Sequence, residues 1–351
     1  MSVGFGVVGC GMIANFHARA IADATGAHLA ACTSSQLPKA EAYAAEHGGT
    51  AYATLEEMLR DPDVQAITIC TPSGIHMVPA LAAAEAGKHV FIEKPLEVTV
   101  DRCDHIIRAC EKANVKLGVA FQSRFHESSK VMKRAVEEGR FGTVTMGDAY
   151  VKWYRSQEYY DSGAWRGTWE FDGGGALMNQ AIHTVDLLTW VMGPVVEVSA
   201  FTNTLAHERI EVEDVAVATL RFANGALGVI EATTASFPGS LKRIEISGSK
   251  GSAILEEEDI KVWEFAEPTA EDASIRDRLA GKTETGGGAS DPAAIGHHGH
   301  TELFNDFVDA IANDRPPAVC GHEGRRSVEI ICAIYESAKR GQPIKLPHQA
   351  T

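Results

Sequence analysis

Three polar residues in the middle of the chain, Asn179, His183 and Asp186, have a spacing that suits chemistry. They stand four and then three positions apart, just after the glycines at 173–175. If 176–192 form a helix, Asn179 and His183 share one face, and Asp186 lies one turn beyond. Imidazole is a general base near neutral pH, and glycine lets a ligand approach the backbone closely. The segment is therefore either a catalytic face or a helix whose polar residues cap and solvate it.

Lys94 is a second candidate, because it stands between Glu93 and Pro95 directly after a predicted strand. A lysine at a strand end is usually surface charge. Beside a ligand cleft, its ammonium would instead hydrogen-bond a substrate hydroxyl and stabilise the oxygen as the proton leaves.

The elements that would position Lys94 alternate between strand and helix through the first third of the chain. Apolar runs such as FGVVGCG, AITICTP and HVFIEKP have the composition of strands, and MIANFHARAIADA between them has helical spacing. Alternation of this kind predicts an α/β fold with a parallel, doubly wound sheet, whose ligands bind beyond the C-terminal strand ends.

The second half of the chain lacks this alternation. Its predicted strands follow one another with only Gly or Asn turns between them: TVTMGDAYVKWYR, VAVATLRFA, GALGVIEATTASF and KRIEISGSKG. A large and mostly antiparallel sheet is therefore expected there.

The first predicted strand ends in a G-x-G-x-x-A motif at residues 9–14. Gly9 permits a tight turn and Gly11 lets backbone approach a pyrophosphate. Met12 and Ile13 open the following helix, whose N-terminus favours negative charge. A glycine turn without a ligand is the alternative, but the position at the start of a strand–helix series favours NAD or NADP as cofactor.

The second predicted strand ends without the residue that usually separates NAD from NADP. It lacks both an acidic residue for the ribose hydroxyls and an arginine for a 2′-phosphate. Ser34 and Ser35 are expected to contact either ribose form, and Lys39 could reach a phosphate. The choice of cofactor stays open at this point.

Two further strand ends are expected to line the cofactor site. Thr71 and Pro72 follow the third clear strand, where the proline would stiffen a loop near the nicotinamide half. His76 is either a ribose contact or simply part of the next helix. Glu93 and Lys94 follow the fourth clear strand and belong to the same predicted edge.

Composition excludes several classes of partner. The chain has 351 residues, with 32 basic against 47 acidic side chains and a net charge of −15. This balance argues against nucleic acid or an anionic membrane as partner. Neither an apolar run of about 18 residues nor a secretory leader is visible, so a cytoplasmic protein is expected. The seven scattered cysteines indicate buried free thiols rather than disulfides or a metal site.

The motifs at 9–14, 93–95 and 173–175, with His183 eight residues after the last glycine, together resemble those of the glucose–fructose oxidoreductase / inositol dehydrogenase (Gfo/Idh/MocA) family. The tail at 333–347 resembles that family's closing helix and strand. The resemblance implies a Rossmann domain, here 1–122, followed by a substrate-binding and oligomerisation domain, here 123–351. The final helix and strand would pack back near the first domain.

The resemblance also implies the chemistry. The family performs NAD(P)-dependent oxidation or reduction of sugars, cyclitols or their derivatives, usually as dimers or tetramers joined through the open sheets. His183 inherits the role of general base, with Lys94 as its partner. Asn179 stands where the family has an aspartate, and an amide can orient a substrate but cannot hold negative charge. Asp186 is expected to be a structural partner.

An aromatic and arginine-rich segment, 152–175, runs directly into the glycines. Aromatic faces stack on sugars and arginines bind hydroxyls or acidic groups, so Arg155, Trp165 and Arg166 are candidate substrate ligands, while other members of the segment are expected to be core. Gln122 and Arg124 are further candidates. Two or more arginines would favour an acidic sugar such as a uronate, a sulfo-sugar or a nucleotide sugar.

The segment 282–300 is rich in Gly, Ser and Asp and is expected to be a mobile loop that covers a sugar site, with a helix beginning near Thr301. His297, His298 and His300 lack the cysteines or paired carboxylates of a ligand set, so no metal is expected. His300 is a candidate substrate contact.

Two alternatives to a sugar dehydrogenase or reductase remain. Some relatives are glycosidases that oxidise a sugar transiently, eliminate the aglycone and reduce the sugar again, which leaves the cofactor unchanged overall. A non-catalytic regulator on the same fold is the third interpretation, and the presence of both Lys94 and His183 disfavours it.

Overall fold

The structure, a computed structural model, describes residues 2–281, 283, 288–289 and 296–347. Contacts divide these residues into two compact units. The first contains the chain up to Gln122 together with Gly296–Val328, and the second contains the rest. No helix in the described ranges combines the length and the apolar character that crossing a membrane requires.

The first unit is built on a six-stranded sheet in the order β3-β2-β1-β4-β5-β6, and every strand pairing in it is parallel. The strands are β1 (Val3–Val8), β2 (Ala27–Thr33), β3 (Thr50–Tyr52), β4 (Ala66–Ile69), β5 (His89–Ile92) and β6 (Leu117–Val119). The helices between them are α1 (Met12–Asp23), α2 (Leu37–His47), α3 (Leu55–Leu59), α4 (Met77–Glu85) and α5 (Val100–Ala113). The predicted Rossmann topology is confirmed.

Register brings the predicted ligand-binding strand ends together. Val8, the last residue of β1, pairs with Thr33 on one side and with Ile69 on the other. Ile69 in turn pairs with Ile92. The residues that follow these four strands therefore all leave the same edge of the sheet, where parallel sheets bind their ligands.

Residues 296–328, which the family resemblance places in the second domain, pack with the first unit. The reason is aromatic: Phe304 lies 5.1 Å from Phe5 and 4.8 Å from Phe91 between ring centroids, and Phe307 contacts the same two rings. These rings come from α10 (His298–Ala312), which begins slightly before the predicted start near Thr301. The predicted loop before it lies largely outside the described residues.

The second unit contains an eight-stranded sheet in the order β13-β12-β11-β7-β10-β9-β8-β14. Its strands are β7 (Val144–Lys152), β8 (Val195–Asn203), β9 (Val215–Phe222), β10 (Leu227–Thr233), β11 (Arg243–Gly248), β12 (Gly251–Glu256), β13 (Asp259–Phe265) and β14 (Ile344–Lys345). β7 and β10 pair in parallel, and the other pairings are antiparallel. The predicted mostly antiparallel sheet is confirmed.

The helices of the second unit include α6 (Glu127–Glu137), α7 (Gln157–Asp161), α8 (Ile182–Met192) and α9 (Ala270–Leu279). Of these, α6, α8 and α9 pack on strands of this sheet. Gly147 of β7 makes room for α8, since a Cβ there would lie 2.6 Å from the end of the Met192 side chain. α8, which carries His183, is thus seated directly on the sheet.

The last helix and the last strand of the chain, α11 (Gly321–Arg340) and β14, are divided between the two units. α11 begins in the first unit, where Gly321 and Gly324 pack against Leu117 and Val119 of β6. The final strand β14 belongs to the second unit. It pairs with β8 in the second sheet, with Ile344 opposite Val198.

Candidate active site

The turn after β1 has the geometry of a dinucleotide cradle. Gly9 has a φ of +93°, and a Cβ there would lie 3.0 Å from the Thr71 side chain, so glycine is required. Gly11 is extended, and a Cβ on it would meet nothing within 4 Å. α1 begins at Met12 with no side-chain cap. Its first N–H groups are therefore available to an anion.

Other residues at this edge fit the same group. Thr71 Oγ1 is shielded from solvent and has no hydrogen-bond partner in the described part of the chain. Ser34 is half-buried and Ser35 exposed, directly beyond β2. Ala14 is fully buried, which allows α1 to approach the sheet closely. The cradle would hold the pyrophosphate of NAD on the N–H groups of Met12 and Ile13, with Thr71 and the serines as further polar contacts.

His76 bridges two loops of this edge instead of facing outward. Its ring is fully buried, with Nδ1 2.9 Å from the carbonyl oxygen of Pro95 and Nε2 3.0 Å from that of Thr71. Burial lowers the pKa of His76, and a neutral ring donates from one nitrogen only. Both of its nitrogens are directed at the backbone, so the ring supports the Thr71 and Pro95 loops rather than contacting a ribose.

Glu93 is the centre of a buried network that the sequence did not suggest. Its Oε1 accepts from His17 Nε2 at 2.8 Å and lies 3.3 Å from His300 Nε2. Burial opposes the charge, but the two imidazoles outweigh it and hold the pKa of Glu93 well below its usual range. Burial lowers the pKa of His17, whose Nδ1 therefore accepts from the Thr68 hydroxyl at 2.7 Å.

His300, predicted to contact the substrate, is a member of this interior network and is only 1% exposed. His297, which the sequence groups with it, instead pairs with Asp23 on the surface. The ligand atoms of His17, Glu93 and His300 lie within 4.8 Å of one another, close enough for a metal ion. Hydrogen bonds to Glu93 and Thr68 hold the three side chains in this arrangement.

Lys94 is the residue directly after Glu93, and its backbone is hydrogen-bonded to the Glu93 network. The other carboxylate oxygen of Glu93, Oε2, accepts the backbone N–H of Lys94 at 2.9 Å. The Lys94 side chain is half-buried, and Pro95 after it is buried. The network thus holds the backbone from which the Lys94 ammonium extends.

In the second unit, the predicted helix at 176–192 is present, but its first part is a π-helix, Ala176–Ala181, which continues into α8. π-helical turns are rare in proteins, and those that occur are often found at functional sites. From 172 to 188, Asn179 and His183 are the two residues that are not buried. The segment therefore presents these two side chains together and buries the rest.

Glu213 holds the start of this π-helix, and no sequence motif pointed to it. Its carboxylate is buried and accepts the N–H groups of Gly175 and Leu177 at 3.0 and 2.8 Å. Tyr335 donates its hydroxyl to Glu213 Oε1 at 3.0 Å. Burial raises the pKa of Glu213 to about 7, although these hydrogen bonds oppose the rise.

Arg124, a predicted substrate ligand, is committed to the interior. Its guanidinium forms a two-pronged ion pair with Asp186, at 2.8 and 2.6 Å, and both side chains are buried. Asp186 is thus a structural partner, as expected. Gln122 retains a buried Oε1 without a hydrogen-bond partner in the described residues, which suits a ligand contact.

Arg155 and Arg166 meet at the ring of Tyr159. Their guanidinium carbons lie 5.5 and 4.2 Å from its centroid. Arg155 is 3% exposed and donates to Gln180 Oε1 and to the Gly288 carbonyl, both at 2.8 Å. Burial lowers the pKa of Arg155. Arg166 donates to the Tyr159 hydroxyl at 2.7 Å.

Trp165 completes this group, since its ring lies 4.5 Å from the Arg166 guanidinium carbon and is half-buried. Trp153 is buried, whereas Trp169 is 44% exposed and stacks edge-on against Tyr335. The segment thus divides as expected between core and exposed surface.

Comparisons with known proteins agree with both units. Residues 3–121 match the family model described as an oxidoreductase family, NAD-binding Rossmann fold. Residues 130–254 match the GFO/IDH/MocA C-terminal domain. The chain belongs to the Gfo/Idh/MocA family of oxidoreductases. The predicted NAD-binding oxidoreductase class is therefore confirmed.

Several relatives match over nearly the whole chain. The WlbA dehydrogenase of Bordetella pertussis, solved with NADH and UDP-GlcNAcA, is 38% identical with a TM-score of 0.90, and the match covers 99% of each chain. Myo-inositol 2-dehydrogenase of Thermotoga maritima is 29% identical over 97% of this chain and 98% of its own. Levoglucosan dehydrogenase of Pseudarthrobacter phenanthrenivorans is 29% identical over 88% and 87%. The last two relatives are named as dehydrogenases of a cyclitol and of an anhydro sugar.

Proposed function

We propose that this protein is an NAD-dependent dehydrogenase that oxidises a ring hydroxyl of a nucleotide-linked sugar acid. The observation that carries the proposal is the pair of guanidinium groups at Tyr159. In the described part of the chain, neither Arg155 nor Arg166 has a carboxylate partner.

The charge of these arginines favours an anionic substrate. Arg155 is buried against neutral carbonyl oxygens and Gln180, and the half-buried Arg166 lies over an aromatic ring and donates to a hydroxyl. A buried cation is costly without a counter-charge. A carboxylate or phosphate would supply that charge and would match the planar guanidinium donors. A neutral sugar or cyclitol would not.

Similarity to the WlbA dehydrogenase supports the same class. The compound in that structure, UDP-GlcNAcA, carries both a sugar carboxylate and a diphosphate. The neighbour shares 38% of its residues with this chain over 99% of both lengths. Two anionic groups on one substrate would suit two arginines.

The proton transfer is assigned to His183 and Lys94. His183 takes the proton from the reacting hydroxyl, and Lys94 hydrogen-bonds its oxygen as negative charge develops. Gln122 donates to or accepts from a sugar hydroxyl, and Trp165 packs against the sugar. When bound, NAD supplies nicotinamide C4 as the hydride acceptor.

NAD is the proposed cofactor rather than NADP. Ser34 and Ser35 can bond ribose hydroxyls, whereas the end of β2 provides no arginine for a 2′-phosphate, and Lys39 is exposed. The B. pertussis neighbour also contains NADH. A higher kcat/KM with NADP than with NAD would contradict this assignment.

The substrate class is tested by NADH formation with UDP-GlcNAcA, with UDP-GlcNAc, which has the diphosphate but lacks the sugar carboxylate, and with free sugars and inositols. The expected result is a clear preference for the acidic nucleotide sugar. Preference for a free neutral sugar would overturn the proposal. Release of UDP without net NADH would support the redox-neutral glycosidase instead.

R166Q sharpens this test, with R209Q as the matched control. Arg209 is an exposed arginine of the same unit, paired with Asp161. R166Q is expected to raise the KM for UDP-GlcNAcA about 10- to 100-fold, as for a lost charge-assisted hydrogen bond, while R209Q leaves it unchanged. An equal loss on UDP-GlcNAc would place the diphosphate at Arg166, and an equal loss on free neutral sugars would contradict the anionic site.

We also propose that two copies associate through the uncovered face of the second sheet. Phe201 is 82% exposed and pairs in register with Val217, and Leu227, half exposed, pairs with Met146. Both pairs lie on one face of strands β8, β9, β10 and β7, with the pair Thr219 and Val229 between them, and exposed apolar side chains on such a face are of the kind that marks an interface. F201D should shift the protein to monomer in light scattering, and an unchanged mass would contradict the proposal.

A further inference from the structure

Asp172 is a buried aspartate that directly precedes the glycine turn, and its side chain is fixed at both oxygens. It is 1% exposed. Oδ2 accepts the N–H of Gly167 at 2.8 Å, and Oδ1 accepts from Asn179 Nδ2. Its own N–H donates to the Thr168 carbonyl at 3.1 Å. The carboxylate therefore has a defined position, with one oxygen anchored to backbone and the other directed at Asn179.

The contact with Asp172 decides which way the Asn179 amide faces. A carboxylate oxygen only accepts, so the NH₂ group of Asn179 must be the end that faces it. The carbonyl oxygen Oδ1 of Asn179 then faces the opposite way. The backbone is held as well, since the N–H of Asn179 donates to the Gly175 carbonyl at 3.2 Å.

The outward face of this amide is shared with His183. In the stretch 172–188, these two residues alone retain solvent exposure, and they lie about one helical turn apart. An acceptor oxygen beside an imidazole can bind a substrate hydroxyl next to the one that loses its proton. An NH₂ group in the same place could not accept that hydroxyl proton.

We propose that Asp172 is a positioning residue that orients Asn179 with its carbonyl oxygen toward the substrate, beside His183. Asp172 does not touch the substrate itself. The proposal rests on the proposed proton transfer to His183 but not on the identity of the sugar.

D172N tests the orientation directly. The new amide would use its carbonyl oxygen to accept the Gly167 N–H, which leaves its NH₂ group facing the NH₂ of Asn179. Asn179 is then expected to flip, which restores the buried hydrogen bond and turns its NH₂ toward the substrate. The expected result is a loss in kcat on the order of 100-fold, as for a misplaced site residue, with a nearly unchanged Tm.

The double variant D172N/N179D, which exchanges the two side chains, separates the effect of side-chain orientation at position 179 from a purely structural effect at position 172. Its amide at position 172 can accept from Gly167 and donate to the carboxylate at position 179, whose second oxygen faces outward as an acceptor again. This variant should regain at least about tenfold in kcat over D172N. N179A removes the oriented group, so D172N added to N179A should cost little more. A merely structural Asp172 would show the full loss in both backgrounds, and that result would overturn the proposal.

D148N is the matched control, because Asp148 is another buried aspartate of the second unit whose carboxylate accepts a backbone N–H, that of Val229 at 2.8 Å. It should leave kcat unchanged. Should D172N fail to fold, the double variant D172N/N179D decides: a folded protein no more active than N179A contradicts the proposal.

A measurement that needs no enzymatic turnover tests this proposal independently of the proposed substrate. In ¹H–¹⁵N spectra, the Asn179 side-chain amide, identified by its absence in N179A, should be protected from hydrogen exchange and lose its wild-type shift in D172N. Exchange as fast as an exposed amide would overturn the proposal, even if UDP-GlcNAcA proves not to be a substrate.

Discussion

The two glycine turns of the molecule, at 9–11 and at 173–175, are held by different means. The first is held by backbone and has open space over Gly11. The second is closed: a Cβ on Gly175 would lie 2.0 Å from the Glu213 carbonyl oxygen, and Gly174 lies against Tyr335. The first turn is shaped to receive a ligand, whereas the second is shaped by the protein's own side chains to aim Asn179 and His183.

Replacing one glycine of each turn with alanine should separate these two roles, and the larger effect on stability is expected at the second turn. G175A forces a Cβ into backbone that cannot move aside, so we expect a loss of about 3 kcal/mol or more in unfolding free energy. G11A meets nothing and should leave Tm unchanged. It should weaken NAD binding about tenfold, or about 1.4 kcal/mol.

Thermal unfolding and NAD titration of both variants measure this difference. A stable G175A protein, or a G11A protein with normal NAD affinity, would remove the distinction between the turns.

Glu213 should make the second turn sensitive to pH. The pKa of Glu213 is raised from 4.5 to about 7 by burial. A raised pKa means that the folded protein binds the proton more tightly, so this contribution to stability is complete below pH 4.5. It is lost as pH rises to about 7, and it amounts to at most about 3 kcal/mol.

E213Q removes the titrating group and should flatten the pH dependence of unfolding free energy across this window. Denaturant unfolding at a series of pH values checks it. The same slope in both proteins would show that Glu213 does not titrate there.

Of the substitutions at the second turn, Y335F should have a smaller effect on unfolding free energy than G175A or E213Q. Y335F removes the hydroxyl that donates to Glu213, at a cost of about 1 kcal/mol. Because that hydrogen bond lowers the pKa of Glu213, its loss should move the pH-dependent decline in stability to higher pH. A decline at lower pH would contradict this role.

The first turn could be predicted from the sequence because it is local. Its glycines, strand and helix are consecutive, and the parallel register of β1, β2 and β4 follows from the alternation. Spacing made His183 a candidate, and the family resemblance gave it the role of general base. The short β3 was not predicted, and neither were β8, β12 and the edge strand β13 of the second sheet.

The second turn could not be predicted in the same way, because its partners are distant in the chain. Glu213 and Tyr335 lie 38 and 122 positions from the groups they bind, and no motif connects them. His300 and Arg124 were expected at the substrate because of their side-chain chemistry. Only the fold shows that Glu93 and Asp186 engage them inside the protein.

The return of 296–328 to the first unit has a consequence for synthesis. Domains generally fold as they emerge from the ribosome, N-terminal first. Here Phe5 and Phe91 pack against Phe304 and Phe307, so the cofactor-binding unit cannot complete its interior until the intervening residues 123–295 of the second unit have been translated. A chain cut at Gln122 would expose that aromatic surface, and neither unit is complete until the other has been largely synthesised.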